Sequence, residues 1–387
     1  MIEGVPEAYN LASGEGMKPS ANSLLKRGGR VMPNRIDRFR AKILKLGLDS
    51  YWVVSHVNVR YLTGFTGHES TLLVTRDRSF LVTDFRYQEQ AEDETEVDEI
   101  ICRTRGMGPE VGGLCHKLGL PSMGVTAANL THADWVSVTS RAPEVDVKSL
   151  KQGPVEKMRI TKTDAEVEKI RRAVNVCEAA FKECVKHVEP GKTENWIAGR
   201  LEYEMRARGA ERAAFETICA VDERGSLPHA AAGEQTARKG SMVLVDWGAC
   251  VEGYHSDLTR VICTDKMPVT LREPAETVVD AQQEALACLG AGTPCNEVDR
   301  AARYVITRAG YGKYFGHGLG HGVGLEIHEA PRLSARDDTI LRAGMVLTVE
   351  PGIYLPGVGG IRVEDTALVT KDGCEVLSSL SKIINFP

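Results

Sequence analysis

One pattern is written twice in this chain. Gly240-Ser241-Met242-Val243-Leu244-Val245-Asp246 and Gly344-Met345-Val346-Leu347-Thr348-Val349-Glu350 each place an acid six positions after a glycine, at the end of an apolar run of strand composition. Each is followed by a turn and an answering strand, Asp257-Leu258-Thr259-Arg260-Val261-Ile262 and Glu364-Asp365-Thr366-Ala367-Leu368-Val369, which align as acid, any residue, Thr, any residue, then two apolar residues. Between the copies lies the run Gly316-His317-Gly318-Leu319-Gly320-His321-Gly322-Val323-Gly324-Leu325-Glu326-Ile327-His328-Glu329. A fold that respects the repeat can bring four acids and a histidine cluster together.

Carboxylates inside hairpins are costly unless a positive charge compensates them, and a divalent cation compensates several at once. Asp246 follows Val243-Leu244-Val245, which reads as buried, so a pair of merely exposed hairpin acids is the weaker reading. The loop around Val251-Glu252-Gly253 predicts Asp246 and Asp257 nearly opposite each other on neighbouring strands, and Glu350 and Glu364, closed by Leu355 to Gly360, repeat the arrangement. Four carboxylates and an imidazole suit Mn²⁺, Co²⁺, Fe²⁺ or Zn²⁺ in a shared centre whose ions sit roughly 3.5–4 Å apart. A structural zinc site would instead be rich in thiolates.

His321 is the first choice for the imidazole ligand, with His317 and His328 behind it, because the surrounding glycines let backbone approach closely. The run holds neither GxxxxGK[ST] nor a true GxGxxG, which excludes a nucleotide cradle, and alternate glycines exclude the helix an HExxH site needs. In an extended segment His317 and His321 share a face, while His328, seven residues on, reaches the site another way. That division suggests one ligand and two histidines facing substrate, donating to a developing oxyanion; second-rank hydrogen bonding to the ligands is the alternative for those two. His229, after Ser226-Leu227-Pro228, says little alone. Arg362, two residues before Glu364 on the same strand face, could neutralise acids or grip a substrate carboxylate. His255 and Cys250, beside the first loop, read as having no specific role.

The rest of the chain predicts two domains. Residues 1–30 lack hydrophobic periodicity and read as a flexible leader. Order begins near Arg35, where Ile36, Phe39, Ile43 and Leu44 are expected on one helical face, and α/β alternation from Tyr51-Trp52-Val53-Val54 to about Val147 outlines an N-terminal domain over 31–150 whose four histidines, His56, His68, His116 and His132, are dispersed. Ser70–Thr75 and Ser79–Thr83 read as a hairpin, and 151–162, with Gly153-Pro154, as a linker. Thr163-Asp164-Ala165-Glu166 opens a capped helix and a second domain, 163–387, in which helices alternate with antiparallel hairpins, an α+β arrangement. A net charge of -5 without a Lys/Arg stripe argues against nucleic acid. The ten cysteines form no CxxC pair, and neither a signal peptide nor a membrane-spanning run is legible, so the expected location is cytoplasmic.

These residues resemble those of the pita-bread metallopeptidases, the family of aminopeptidase P, prolidase, methionine aminopeptidase and creatinase. The resemblance covers about residues 31–387, and the family's five ligand positions are filled in order by Asp246, Asp257, His321, Glu350 and Glu364. His317, His321 and His328, with Leu227-Pro228-His229 upstream, are similar to the aminopeptidase P and prolidase branch, while Asn58 to Gly67 and Thr83-Asp84-Phe85-Arg86-Tyr87 resemble a creatinase-type N-terminal domain. The leader has no counterpart there, and a start at Met32 would account for it. The resemblance implies an α+β pita-bread catalytic domain with a pseudo-two-fold repeat, preceded by a smaller α/β domain. It implies two divalent ions, Mn²⁺ first and Co²⁺, Zn²⁺ or Fe²⁺ otherwise, with Asp257 and Glu364 bridging, Asp246 completing one site and His321 and Glu350 the other. Glu350 would also shuttle the nucleophile's proton, and His229, His317 and His328 would support the oxyanion and the leaving proline nitrogen. The implied activity is that of a homodimeric exopeptidase cleaving before proline and releasing the N-terminal residue of Xaa-Pro peptides. Alternatives are an Xaa-Pro dipeptidase, a creatinase-like amidohydrolase and a binding protein that has lost catalysis; a complete ligand set argues against the last two.

Overall fold

Short apolar runs before residue 150 pair into one mixed sheet in the computed structural model, which describes residues 34–385; the leader lies outside them. Its strands are β1 (Ser50–Val53), β2 (Ser70–Thr75), β3 (Ser79–Thr83), β4 (Glu99–Cys102), β5 (Ser122–Thr126) and β6 (Asp146–Leu150), in the order β4-β3-β2-β1-β5-β6. The predicted hairpin pairs Ser70 with Thr83. The helix Arg35–Lys45 buries Ile36, Phe39 and Ile43, but Leu44 is 49% exposed: one residue past Ile43 turns it about 100° away from the sheet.

The segment read as a polar linker is more ordered than its composition suggested. Gly153-Pro154 starts a short helix, Pro154–Arg159, and Val155, Met158, Arg159 and Lys162 are buried between the two halves of the molecule. The next helix, Asp164–Val185, opens with the predicted capping box, the Glu166 amide facing the Thr163 hydroxyl while the Glu166 carboxylate accepts from the Thr163 amide at 2.8 Å.

The second half is built from β7 (Arg212–Ala213), β8 (Ile218–Val221), β9 (Met242–Trp247), β10 (Ala249–Val251), β11 (Tyr254–His255), β12 (Leu258–Cys263), β13 (Gly320–Gly322), β14 (Glu329–Leu333), β15 (Val346–Val349), β16 (Gly352–Leu355), β17 (Gly359–Arg362), β18 (Asp365–Val369), β19 (Cys374–Val376) and β20 (Ile383–Asn385). One sheet runs β20-β12-β9-β8, the other β14-β13-β15-β18-β19. An isolated bridge, Thr259 to Glu364, joins the two copies of the sequence pattern. Each hairpin leaves its main sheet at its acids: β10 and β11 turn off to pair with β7 and with each other, and β16 and β17 form a two-stranded sheet.

Each copy also has its own pair of helices. Asp164–Val185 and Glu194–Ala207 cover the first, where Phe181 stacks on Trp247 with ring centroids 4.2 Å apart. Val269–Cys288 and Cys295–Arg308 cover the second through Val278, Ala281, Val298 and Ile306 against Leu347, Val349 and Val363. The acids therefore sit on the uncovered faces of two helix-backed sheets. Among the described residues no helix is long and apolar enough to cross a membrane.

Candidate functional site

The strand register decides how the acids meet. Thr259, not Asp257, lies opposite Asp246, so Asp257 is displaced by two residues from the predicted facing position. Because a strand alternates faces every residue, a two-residue offset leaves both acids on one side of the sheet. In the second copy Val349 pairs with Asp365, which places Glu350 and Glu364 just beyond the ladder's end.

The threonine repeated two places after each answering acid has a reciprocal use. Thr259 Oγ1 donates to Glu364 Oε2 at 2.7 Å, and Thr366 Oγ1 donates to the Asp257 carbonyl at 3.0 Å. Each copy thus braces the acid of the other. Behind them the fully buried Arg260 donates to the Glu364 carbonyl at 2.5 Å and pairs with Asp365 at 2.8 Å.

His321 enters from the short strand β13, held by its amide donating to Thr348 Oγ1 at 3.0 Å and by the Glu350 amide donating to the Leu319 carbonyl at 2.8 Å. The flanking glycines are needed for neighbouring strands: a Cβ on Gly320 would lie 2.1 Å from the Thr348 carbonyl oxygen, and one on Gly322 2.5 Å from that of Ala330. His321 Nδ1 is 3.1 Å from the Gly322 carbonyl oxygen, to which only a protonated Nδ1 can donate. Its Nε2 lone pair is then left facing Asp257 Oδ2 at 3.5 Å and Glu350 Oε1 at 3.3 Å.

These groups are held in states that suit a cation. Burial, then the neighbouring acids, pushes the Asp257 and Glu364 carboxyls well above the carboxylate range. Burial pushes Glu350 up to about 8 despite Arg362, and pushes His321 down to about 3. Buried Asp246 Oδ1 and Glu364 Oε1 have no hydrogen-bond partner among the described residues, and ligand atoms of Asp257, His321 and Glu364 all lie within 4.8 Å of one another. Orphaned carboxylate oxygens beside a neutral imidazole fit divalent metal ions.

The five predicted ligands open with His229, His317, His328 and Arg362 onto a single cavity of about 740 Å³. His317 Nε2 is 2.9 Å from the Tyr354 hydroxyl, and burial lowers its pKa to about 4. The chain turns after β13 and brings His328 back edge-on to His321, ring centroids 4.4 Å apart. His229 is exposed on the rim. Of the two roles open to Arg362, its geometry is that of neutralisation. It donates to Asp246 Oδ2 at 2.6 Å, Tyr354 Oη at 2.8 Å, Thr259 Oγ1 at 3.2 Å and the Pro228 carbonyl at 3.3 Å. His255, expected to be idle, is buried with its Nδ1 3.0 Å from the Gly324 carbonyl, bracing the histidine loop. Sequence reasoning missed Tyr354, which joins His317 to Arg362, and Arg332, whose exposed side chain lines the cavity and has no ion pair among the described residues. An arginine on the strand after the histidines was the available signal.

Residues 168–371 match the model of metallopeptidase family M24, and residues 35–161 that of the creatinase/prolidase N-terminal domain. The chain belongs to metallopeptidase family M24. This M24 chain is 32% identical to an Xaa-Pro dipeptidase of Pyrococcus horikoshii, over 91% of its own length and 99% of the relative's. Among solved structures it is similar to an Xaa-Pro dipeptidase from Bacillus anthracis, with a TM-score of 0.87 and 37% identity over 91% of this chain and 99% of that one. It is also similar to an X-Pro aminopeptidase from Thermotoga maritima, with a TM-score of 0.82 and 35% identity over 89% and 99% of the two chains. The fold is the α+β pita-bread domain behind a creatinase-type N-terminal domain, as its sequence implied.

Proposed function

We propose that the chain is an Xaa-Pro dipeptidase, hydrolysing the bond before a C-terminal proline with two divalent ions, Mn²⁺ first among them. The observation that carries this reading is Arg332. It is a cation on the wall of the metal-site cavity, close enough for its charge to depress the His321 and His328 rings after burial has done so, and it has no ion-pair partner among the described residues. A dipeptide brings its free carboxylate near the scissile bond, where such a guanidinium can receive it; a longer peptide does not. The Xaa-Pro dipeptidases among its relatives support the same substrate.

Asp246, Asp257, His321, Glu350 and Glu364 would hold the ions, which when bound supply hydroxide at neutral pH and charge for the scissile carbonyl. Glu350, at the cavity wall beside His321, would take the proton from the attacking water and return it toward the proline nitrogen. His328 donates toward the oxygen that becomes negative, while His317, its Nδ1 donating to the Gly318 carbonyl and its Nε2 accepting from the Tyr354 hydroxyl, shapes the cavity wall. The Arg362 bond to Asp246 keeps that carboxylate aimed. A cytoplasmic homodimer belongs to the same reading, its assembly to be checked by light scattering.

A second reading, release of the first residue from longer Xaa-Pro peptides, is favoured by the likeness to the Thermotoga aminopeptidase. A panel of Xaa-Pro, Xaa-Pro-amide and Xaa-Pro-Xaa peptides, with and without Mn²⁺, separates the two. Cleavage of the free dipeptide with the amide strongly disfavoured supports the dipeptidase. Equal or better cleavage of the tripeptide refutes it.

A further inference from the structure

His328 makes no side-chain hydrogen bond among the described residues, yet its ring sits edge-on to that of His321 on the cavity wall. Its placement must come from the loop that carries it. Two acids flank it in sequence, Glu326 and Glu329, and both turn to one guanidinium. Arg159 Nη2 donates to Glu326 Oε2 and to Glu329 Oε1, each at 2.6 Å. Buried Lys162 donates to Glu329 Oε2 at 3.1 Å, and the Glu326 amide closes the turn on Glu329 Oε1 at 3.1 Å. A Cβ on Gly324 would lie 2.7 Å from that carboxylate, so the turn is closed tightly around it.

The other arm of Arg159 reaches the N-terminal domain. Nη1 donates to Asn58 Oδ1 at 2.7 Å, on the helix His56–Thr63, and Asn58 Nδ2 donates on to Glu156 Oε1 at 2.8 Å. Arg159 is only 5% exposed, so these bonds form where water does not compete. Against burial, which acts the other way, Lys162 and Arg159 hold the Glu329 carboxyl down at about 2, and the network stays charged across the working pH range.

We propose that Arg159, seconded by Lys162, is a positioning residue for catalysis: through the carboxylates of Glu326 and Glu329 it sets where His328 stands over the reacting atoms, and through Asn58 it makes that placement depend on the N-terminal domain. This rests on the reading of His328 as a group that touches substrate. It gives the buried arginine between the domains a use that neither metal binding nor substrate binding requires.

The test is a double-mutant cycle on the full-length, Mn²⁺-loaded protein, run on whichever panel peptide the parent cleaves. Arg159→Met should lower kcat by about a hundredfold, the effect of displacing a catalytic group by about an ångström, with KM and metal content little changed. In a His328→Ala background the same substitution should change kcat less than about threefold, because its target is gone. Equal losses in both backgrounds, or loss of metal, overturn the proposal. Should Arg159→Met not fold, Glu326→Gln, at a half-exposed partner, runs the same cycle with a smaller expected loss. If the parent cleaves no proline peptide, the functional reading fails separately, and histidine-labelled NMR decides this one: Glu326→Gln must move the His328 ring resonance and leave that of His229 in place. An unmoved His328 resonance refutes it.

Discussion

Removing metal should make stability depend steeply on pH in a way that the loaded protein does not. The Glu350 carboxyl is raised from 4.5 to about 8 in the fold, and Asp257 and Glu364 are raised as well. A group raised in this way contributes stability that is complete below its ordinary pKa and is lost as pH climbs through its folded value. At about 1.36 kcal/mol per tenfold change in proton affinity, Glu350 alone costs the metal-free fold on the order of 5 kcal/mol between pH 4.5 and 8. That is a large part of the roughly 5–15 kcal/mol by which folded proteins are stable. Bound cations replace the lost protons, so the loaded protein should be nearly free of this dependence.

Other groups titrate over the same range and must be separated. His321, His317 and His255, pushed down to about 3, 4 and 4, contribute above their ordinary 6.5 and lose that as pH falls, the opposite sense. Lys382, pushed down to about 7 by burial, gains with rising pH. His317, His255 and Lys382 are common to both forms, so the difference in Tm between loaded and chelated protein cancels them; His321 is neutral in both forms above pH 6.5. Differential scanning calorimetry from pH 6.5 to 8, where Glu350 accounts for about 2 kcal/mol, should show that difference widening by roughly 4–8 °C, at about 2–4 °C per kcal/mol. Calorimetric titration with Mn²⁺ near pH 6.5 should release protons. A gap that is constant across the window, with no proton release, would refute the account of the buried acids.

Asp257→Asn and Glu364→Gln should abolish hydrolysis and lower metal content by elemental analysis, whereas His328→Ala should keep its metal and lose about a hundredfold to a thousandfold in kcat. Arg332→Met should raise KM for free Xaa-Pro by about tenfold or more, an ion-paired hydrogen bond being worth about 1.5–3 kcal/mol, with little effect on the amidated dipeptide; equal effects on both would remove Arg332 from carboxylate binding. Trp247→Ala, which deletes the partner of Phe181 from the first helix-backed sheet, should destabilise the fold by about 3–5 kcal/mol in denaturant titration.

What the sequence made legible follows the range over which its signals act. The capping box at Thr163 and Glu166 and the hairpin at Arg76-Asp77-Arg78 are set by neighbours within a few residues, and both form where predicted. The acids at 246, 257, 350 and 364 were legible because the pattern is repeated, which supplies internally the comparison that a single site lacks. The register of the second pair was legible too, since Val349 faces Asp365 and Gly352 faces Arg362 on either side of Glu350 and Glu364; that of the first pair was not. In the first copy one count from the turn at Glu252-Gly253 runs through Cys250 opposite His255 to Asp246 opposite Thr259, so Asp257 stands two residues from the facing position that the general hairpin pattern gave it.

The linker shows the same limit from the other side. Lys151 to Thr161 is polar and carries Gly-Pro, so by composition it belongs on the surface, yet Arg159 is buried because its partners lie 101 residues before it at Asn58 and 167 and 170 residues after it at Glu326 and Glu329. No local period records such a pairing; only the folded arrangement brings a guanidinium to two carboxylates that would otherwise repel each other across one turn. Arg362 and Asp246, 116 residues apart, pose the same problem, and their pairing left Arg332 as the cation facing the cavity. Charged residues could be assigned to the site from the sequence, but which of them are spent on one another and which remain for substrate is decided by contacts between distant segments, and the substrate reading turns on that division.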